Sequence, residues 1–293
     1  MKKLLAIAAV AAVLFSCSKT PNPEPEPKPE PSPVPEKWAI KIAPSITKVT
    51  DSAFENGDKV GIYVVNDPNT LKSSGNHVDN LGFSYSGTWT SSSTAFWKDE
   101  TTKADFYCYF PYVAGISNTE EHSFEVKADQ STEANYKASD FLWGKTAGAT
   151  PTKNAVSINM YHKMSYITVK LVAGDGYTDE DLKNASVTIC GLKTKSSINL
   201  ATGAVSAAGD THDITPLAGN GQLRALVVPQ SVKDIDIIKV TVGDTTYKLN
   251  QSIELKSGTQ HTCTLTVDRS GQGINISIGG WEISSEDFGG TVE

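Results

Sequence analysis

Arginine is nearly missing from this chain: Arg224 and Arg269 are the only two. With so few guanidinium groups, a dense phosphate- or carboxylate-binding site is excluded. The formal net charge of −7 comes without any basic cluster, so nucleic acid is not an expected partner. Cysteine is sparse too, and Cys17, Cys108, Cys190 and Cys263 stand too far apart for a C-x-x-C zinc or redox motif. The five histidines, His77, His122, His162, His212 and His261, form neither H-E-x-x-H nor any paired metal spacing. Their neighbourhoods read as polar loops for His77, His122 and His212 and as strand edges for His162 and His261. Gly-x-Ser-x-Gly is absent, which removes the usual serine-hydrolase elbow. No glycine-rich loop opens a helix, so there is no phosphate cradle. No two carboxylates stand out as an acid and base pair. Asp175, Asp179, Glu180 and Asp181 lack the glycine-centred spacing of a calcium loop and read as a helix start. The expectation is a protein that is not an enzyme, with no cofactor and no metal.

Hydrophobic runs are equally scarce after the first residues. Lys2 and Lys3 followed by the apolar run Leu4 to Phe15 read as a secretory signal covering residues 1–16. That run is too short to span a bilayer as a helix, and no later run approaches the needed length. Leu14-Phe15-Ser16-Cys17 resembles the lipobox of bacterial lipoproteins. The resemblance implies that Cys17 becomes the first mature residue and carries acyl chains, the anchor to the outer membrane.

Residues 17–37 form the next segment, in which proline alternates with Asn, Glu, Lys, Ser or Val from Pro21 to Pro35. Proline at every second position fixes φ and disfavours helix in the residue before it, so the segment is expected to be a polyproline rod. At ~3.1 Å per residue it reaches roughly 50 Å, a spacer between membrane and folded body.

From Trp38 onward the dominant signal has period two, the mark of strands. Val60, Ile62 and Val64 share one face of a strand, and Asn56-Gly57-Asp58 makes the turn before it. In Asp105 to Phe110, Phe106, Cys108 and Phe110 point inward and the two tyrosines the other way. After Pro151 a second set of strands begins, including Ile167-Val169-Leu171, Leu223 to Val228, His261 to Val267 and Ile274 to Ile278. Val242-Gly243-Asp244-Thr245 predicts a tight hairpin, and the slipped apolar phase of Ile235 to Val240 predicts a bulge. One short helix is expected near Thr178 to Asn184, capped by Thr178. Cys108 and Cys263 lie on the apolar phase of their strands and read as small buried hydrophobes, with one disulfide among Cys108, Cys190 and Cys263 left open. Trp89, Trp97 and Trp143 are either core aromatics or, if exposed, sugar-stacking platforms. About fifteen strands and almost no helix mean an all-β protein, divided into two antiparallel sandwiches, residues 38–160 and 161–293.

Several stretches together resemble the fimbrillin-like family, lipoproteins of gut and oral Bacteroidales that include pilus subunits. They are Phe54 to Tyr63, Ala104 to Tyr112, Asp140 to Gly144, His162 to Ile167, Val228-Pro229-Gln230 and Ile276 to Trp281. The resemblance implies two tandem transthyretin-like β-sandwiches and a building block of an adhesive surface fibre. In polymerising members a protease removes the lipidated segment and first strand, and the C-terminal strand of the next subunit fills the groove. Here the strand lost is the one near Trp38 to Ile46. With no arginine before Arg224, cleavage falls on a lysine, Lys41 or Lys48, or the subunit stays uncut. The donor is the tail Glu282 to Glu293, with Ile283, Phe288 and Val292 as anchors. Expected partners are other pilus subunits, the outer membrane through the lipid, and a host glycan or protein. The competing reading is a surface lipoprotein that binds glycans.

Overall fold

The computed structural model describes residues 36–46 and 53–269, together with the backbone of 276–284. Two helices of five residues each are the only helices among them, and the rest of the regular structure is β. The first half contributes β1 (Lys41–Ile46), β2 (Lys59–Asn66), β3 (Val78–Tyr85), β4 (Trp89–Ser91), β5 (Ala104–Phe110), β6 (His122–Glu125), α1 (Glu133–Lys137), β7 (Leu142–Ala149) and β8 (Ala155–His162). The second contributes β9 (Ser165–Ala173), α2 (Asp179–Lys183), β10 (Ser186–Asn199), β11 (Ala204–Ile214), β12 (Leu217–Gly219) and β13 (Gln222–Val227). It ends with β14 (Gln230–Val242), β15 (Thr245–Leu255), β16 (Gln260–Val267) and β17 (Ile276–Ser284).

Three sheets result. One has the order β1-β8-β7-β5-β2-β3-β4, the second β11-β10-β14-β15, and the third β12-β13-β9-β16-β17. Most neighbours are antiparallel, but β1 lies parallel to β8 and β9 parallel to β16. Sequence offers no hint of those two directions, because the partners lie too far apart for a turn to set them.

Local chemistry explains much of the remainder. Thr178 caps α2 in a capping box with Asp181, as its sequence promises. Val242 and Thr245 face each other across the Gly243-Asp244 turn, with Gly243 at φ +58°. The slipped phase in β14 is a double register shift between Val232 and Ile238, and it buries both Ile237 and Ile238. Cys108, Cys190 and Cys263 are buried free thiols. Burial raises the thiol pKa of Cys263 to about 12, so it stays protonated.

The central strands of the seven-stranded sheet, β2 and β5, are buried on both faces. Val60, Ile62, Val64, Phe106 and Cys108 enter one core with Phe83, Val156, Ile158 and Met160. The opposite face was expected to hold outward tyrosines. Instead Tyr63, Val65, Tyr107 and Tyr109 enter a larger core shared with Leu192, Ile198 and Leu200 of the second half. Tyr109 reaches over its cross-strand partner Gly61, where an added Cβ would collide with the ring. The ring is pinned: its hydroxyl donates to Asn80 Oδ1 at 2.7 Å and accepts from the Val113 N–H at 3.2 Å. Gly61→Ala is therefore expected to cost about 1–3 kcal/mol in urea unfolding, the overpacking penalty of a tightly held site. A loss below about 0.5 kcal/mol would show that the ring swings freely.

The two halves are joined by more than the chain crossing after His162. β6, from the first half, pairs with β10, so Phe124 faces Ser196 and His122 faces Ile198. Phe141, fully buried, stacks against Tyr109 and touches the rings of Phe124 and His122. Trp143 of β7 donates its indole N–H to the Leu200 carbonyl at 2.8 Å and rests on Gly203, whose φ of +73° no side chain would tolerate cheaply.

Candidate functional site

The first strand is built to be a cover. From residue 40 to residue 46 its side chains alternate strictly: Ile40, Ile42 and Pro44 are buried and Ile46 half-buried, while Lys41, Ala43 and Ser45 face water. Ile42, Pro44 and Ile46 stand opposite Val156, Ile158 and Met160, so two apolar rows meet across one parallel ladder. Pro44 supplies no N–H, which an edge strand tolerates.

Just before β1 the chain is laced on its other side. The Ile40 N–H donates to the Ala95 carbonyl and the Trp97 N–H to the Trp38 carbonyl, both at 2.9 Å, with Ala39 bridged antiparallel to Phe96. Trp97 closes the core beneath, packed on Phe106 at 5.4 Å between ring centres. Residues 38–46 therefore occupy a slot whose first part, residues 38–40, is laced to residues 95–97 and whose remainder, residues 41–46, is paired with β8. Four apolar side chains at alternate positions fill it.

The residues singled out by sequence fall as follows. Lys41 begins β1, exposed and opposite Ala155. Ile283 lies in β17, opposite His261. Cys17, Lys48, Phe288 and Val292 lie outside the described residues. Ile40, Ile42, Pro44 and Ile46 went unnamed as individual anchors, although their period-two spacing is visible in the sequence.

Trp89, Trp97 and Trp143 make no exposed platform. Trp97 is buried, Trp143 is spent on the junction, and Trp89 is half-buried with Phe54 edge-on at 4.8 Å. No cluster of three metal-ligating side chains occurs among the described residues, and no described helix is long and apolar enough to cross a membrane.

Three histidines expected at the surface or at strand edges are buried: His122, His162 and His261. His162, the last residue of β8, lies 2.9 Å from an Asp140 oxygen through Nδ1. Burial pulls its pKa down, but the Asp140 charge and hydrogen bond outweigh that and leave it raised. Burial lowers His122, and burial with the Lys256 charge lowers His261. The signs oppose. A raised histidine stabilises the fold below the unfolded value of 6.5 and loses that contribution as pH climbs through its folded pKa. The two lowered ones stabilise above 6.5 and lose that contribution as pH falls towards their folded values. His162→Gln is expected to make the drop in stability between pH 7 and pH 5 larger than in the unaltered protein. Equal drops in urea midpoint would mean that Asp140 holds no proton on His162.

Comparison with known proteins agrees with this architecture. Residues 47–283 match the model of the family described as Fimbrillin-like. The chain is 22% identical over 249 residues to "Putative fimbrium subunit Fim1C" of Bacteroides uniformis, covering 80% of this chain and 81% of that one. Among solved structures, a "putative cell adhesion protein" from Bacteroides uniformis superposes with a TM-score of 0.68 at 20% identity, covering 87% of this chain and all of the other. One of the same description from Bacteroides ovatus gives 0.67 at 19% identity, covering 84% and 98%. At those identities the superpositions establish the shared fold. The family match spans most of the sequence, and the chain belongs to the fimbrillin-like family.

Proposed function

We propose that this chain is a subunit of an adhesive surface fibre, exported as a lipoprotein through Cys17, held off the outer membrane by the proline-rich tether, and joined to other subunits by β-strand addition. One observation carries the reading: an N-terminal edge strand covers an apolar core, laced by main-chain bonds of the kind any other strand could make. A vacated edge is a template for β-addition, in which main-chain hydrogen bonds give affinity and alternate side chains give selectivity. Cleavage after Lys48 would release β1 whole, whereas cleavage after Lys41 would cut at its first residue and leave Ile42, Pro44 and Ile46 in place. Lys48 is thus the more effective of the two processing points. The tail after Trp281 serves as donor in this reading, and its sequence beyond Ser284 offers Phe288 and Val292. Adhesion to a host glycan or protein is the role of the assembled fibre.

The test is the N-terminal residue and mass of the protein recovered from cell-surface fractions. A start after Lys48 supports strand removal and polymerisation. A start at Cys17 with acyl mass supports the anchor and tether but removes polymerisation through this slot.

A further inference from the structure

The slot and the tail of this chain do not match, and we infer that the slot receives a strand from a different polypeptide, one carrying four apolar side chains at alternate positions, rather than the tail of a second copy. The inference rests on the strand-addition reading above. The present occupant defines the requirement: Ile40, Ile42, Pro44 and Ile46 all point into the core, against Trp97 at one end and against Val156, Ile158 and Met160 along the rest.

The tail offers two phases. Trp281 and Ile283 open one of them, but both belong to β17, paired with β16 of their own sheet, and the phase continues with Ser285 and Asp287. The other reads Glu286, Phe288, Gly290, Val292, with two apolar side chains in four places. A carboxylate at the first position would enter an apolar core unpaired, and glycine at the third would leave an anchor site empty. Every other apolar alternating stretch among the described residues is already engaged in a sheet. Donor and acceptor on this chain therefore suit different neighbours, and the subunit joins unlike partners rather than copies of itself.

The experiment uses the full chain with a specific protease site inserted between β1 and β2, cut without denaturant. Fluorescent peptides then exchange into the slot, read by anisotropy. The peptide of residues 38–46 is expected to bind, and that of residues 282–293 to bind about 100-fold more weakly, roughly tenfold per missing anchor. The same tail peptide carrying Glu286→Ile and Gly290→Val is expected to come within about tenfold of the β1 peptide. If the unaltered tail binds within tenfold of the β1 peptide, or the doubly substituted tail stays weak, the inference is overturned while strand addition stands. If the β1 peptide itself does not exchange, strand addition through this slot falls and the inference falls with it.

Discussion

Replacing Phe141 with alanine is expected to lower stability by about 3–5 kcal/mol, the cost of a large cavity where neighbours cannot collapse. Phe141 has no solvent exposure, and it is wedged between Tyr109 from β5, Phe124 and His122 from β6. Tyr109 lies on the face of the first sheet that shares its core with the second half, whereas Phe124 and His122 lie on β6, which is paired with β10 of the second sheet. The loss should therefore appear as one shifted transition rather than as the melting of a single half. For a body of this size each kcal/mol moves Tm by roughly 2–4 °C, which places the shift near 6–20 °C. Urea unfolding followed in parallel by tryptophan fluorescence and far-UV circular dichroism checks it. Two separated transitions, one unmoved, would show that the halves fold independently.

Ile42→Asp should act more locally and as strongly. The side chain is buried opposite Val156, and a carboxylate there has no cation to pair with among the apolar residues of its core. The cheapest response for an edge strand is to leave the sheet, carrying the charge into water. Hydrogen exchange of the β8 amides that pair with β1 is expected to accelerate about 100-fold, equivalent to roughly 3 kcal/mol of local stability, while amides of β13 and β14 stay protected. Cleavage by trypsin at Lys41, now at the start of β1, should accelerate in parallel. Unchanged exchange in β8 would mean that β1 is not separable from the sheet, and the strand-addition reading would lose its structural basis.

Much of this architecture is legible in the sequence because it is governed by local rules. Period two marks the strands, Thr178 with Asp181 marks α2, Gly243-Asp244 marks its hairpin, and the slipped phase at Ile237-Ile238 marks the bulge. What escapes is set by distant partners. β6 is only four residues long and sits among polar neighbours, and it is a strand because β10 is there to receive it. α1 is a single turn and a half beginning after Thr132, with no buried residue to give it an apolar stripe. The tyrosines of β5 read as outward because alternation reports which residues share a face, not whether the second face is also covered. His162 read as an edge residue because Asp140, its partner, lies in a loop far back in the chain. The slot was legible as a strand, whereas its second seam along residues 95–97 was not, since those residues show no alternating run of their own.

The pairing of β6 with β10 bears on how such proteins can diversify. A chimera that takes everything after His162 from a relative would inherit a β10 shaped to another protein's β6, together with the wrong partner for Trp143 at Gly203. Exchange of halves at the obvious crossing is thereby penalised, and productive recombination must carry residues 119–143 along with the later sequence. Variation should then accumulate by substitution on exposed faces and in loops, with the two halves inherited as one unit.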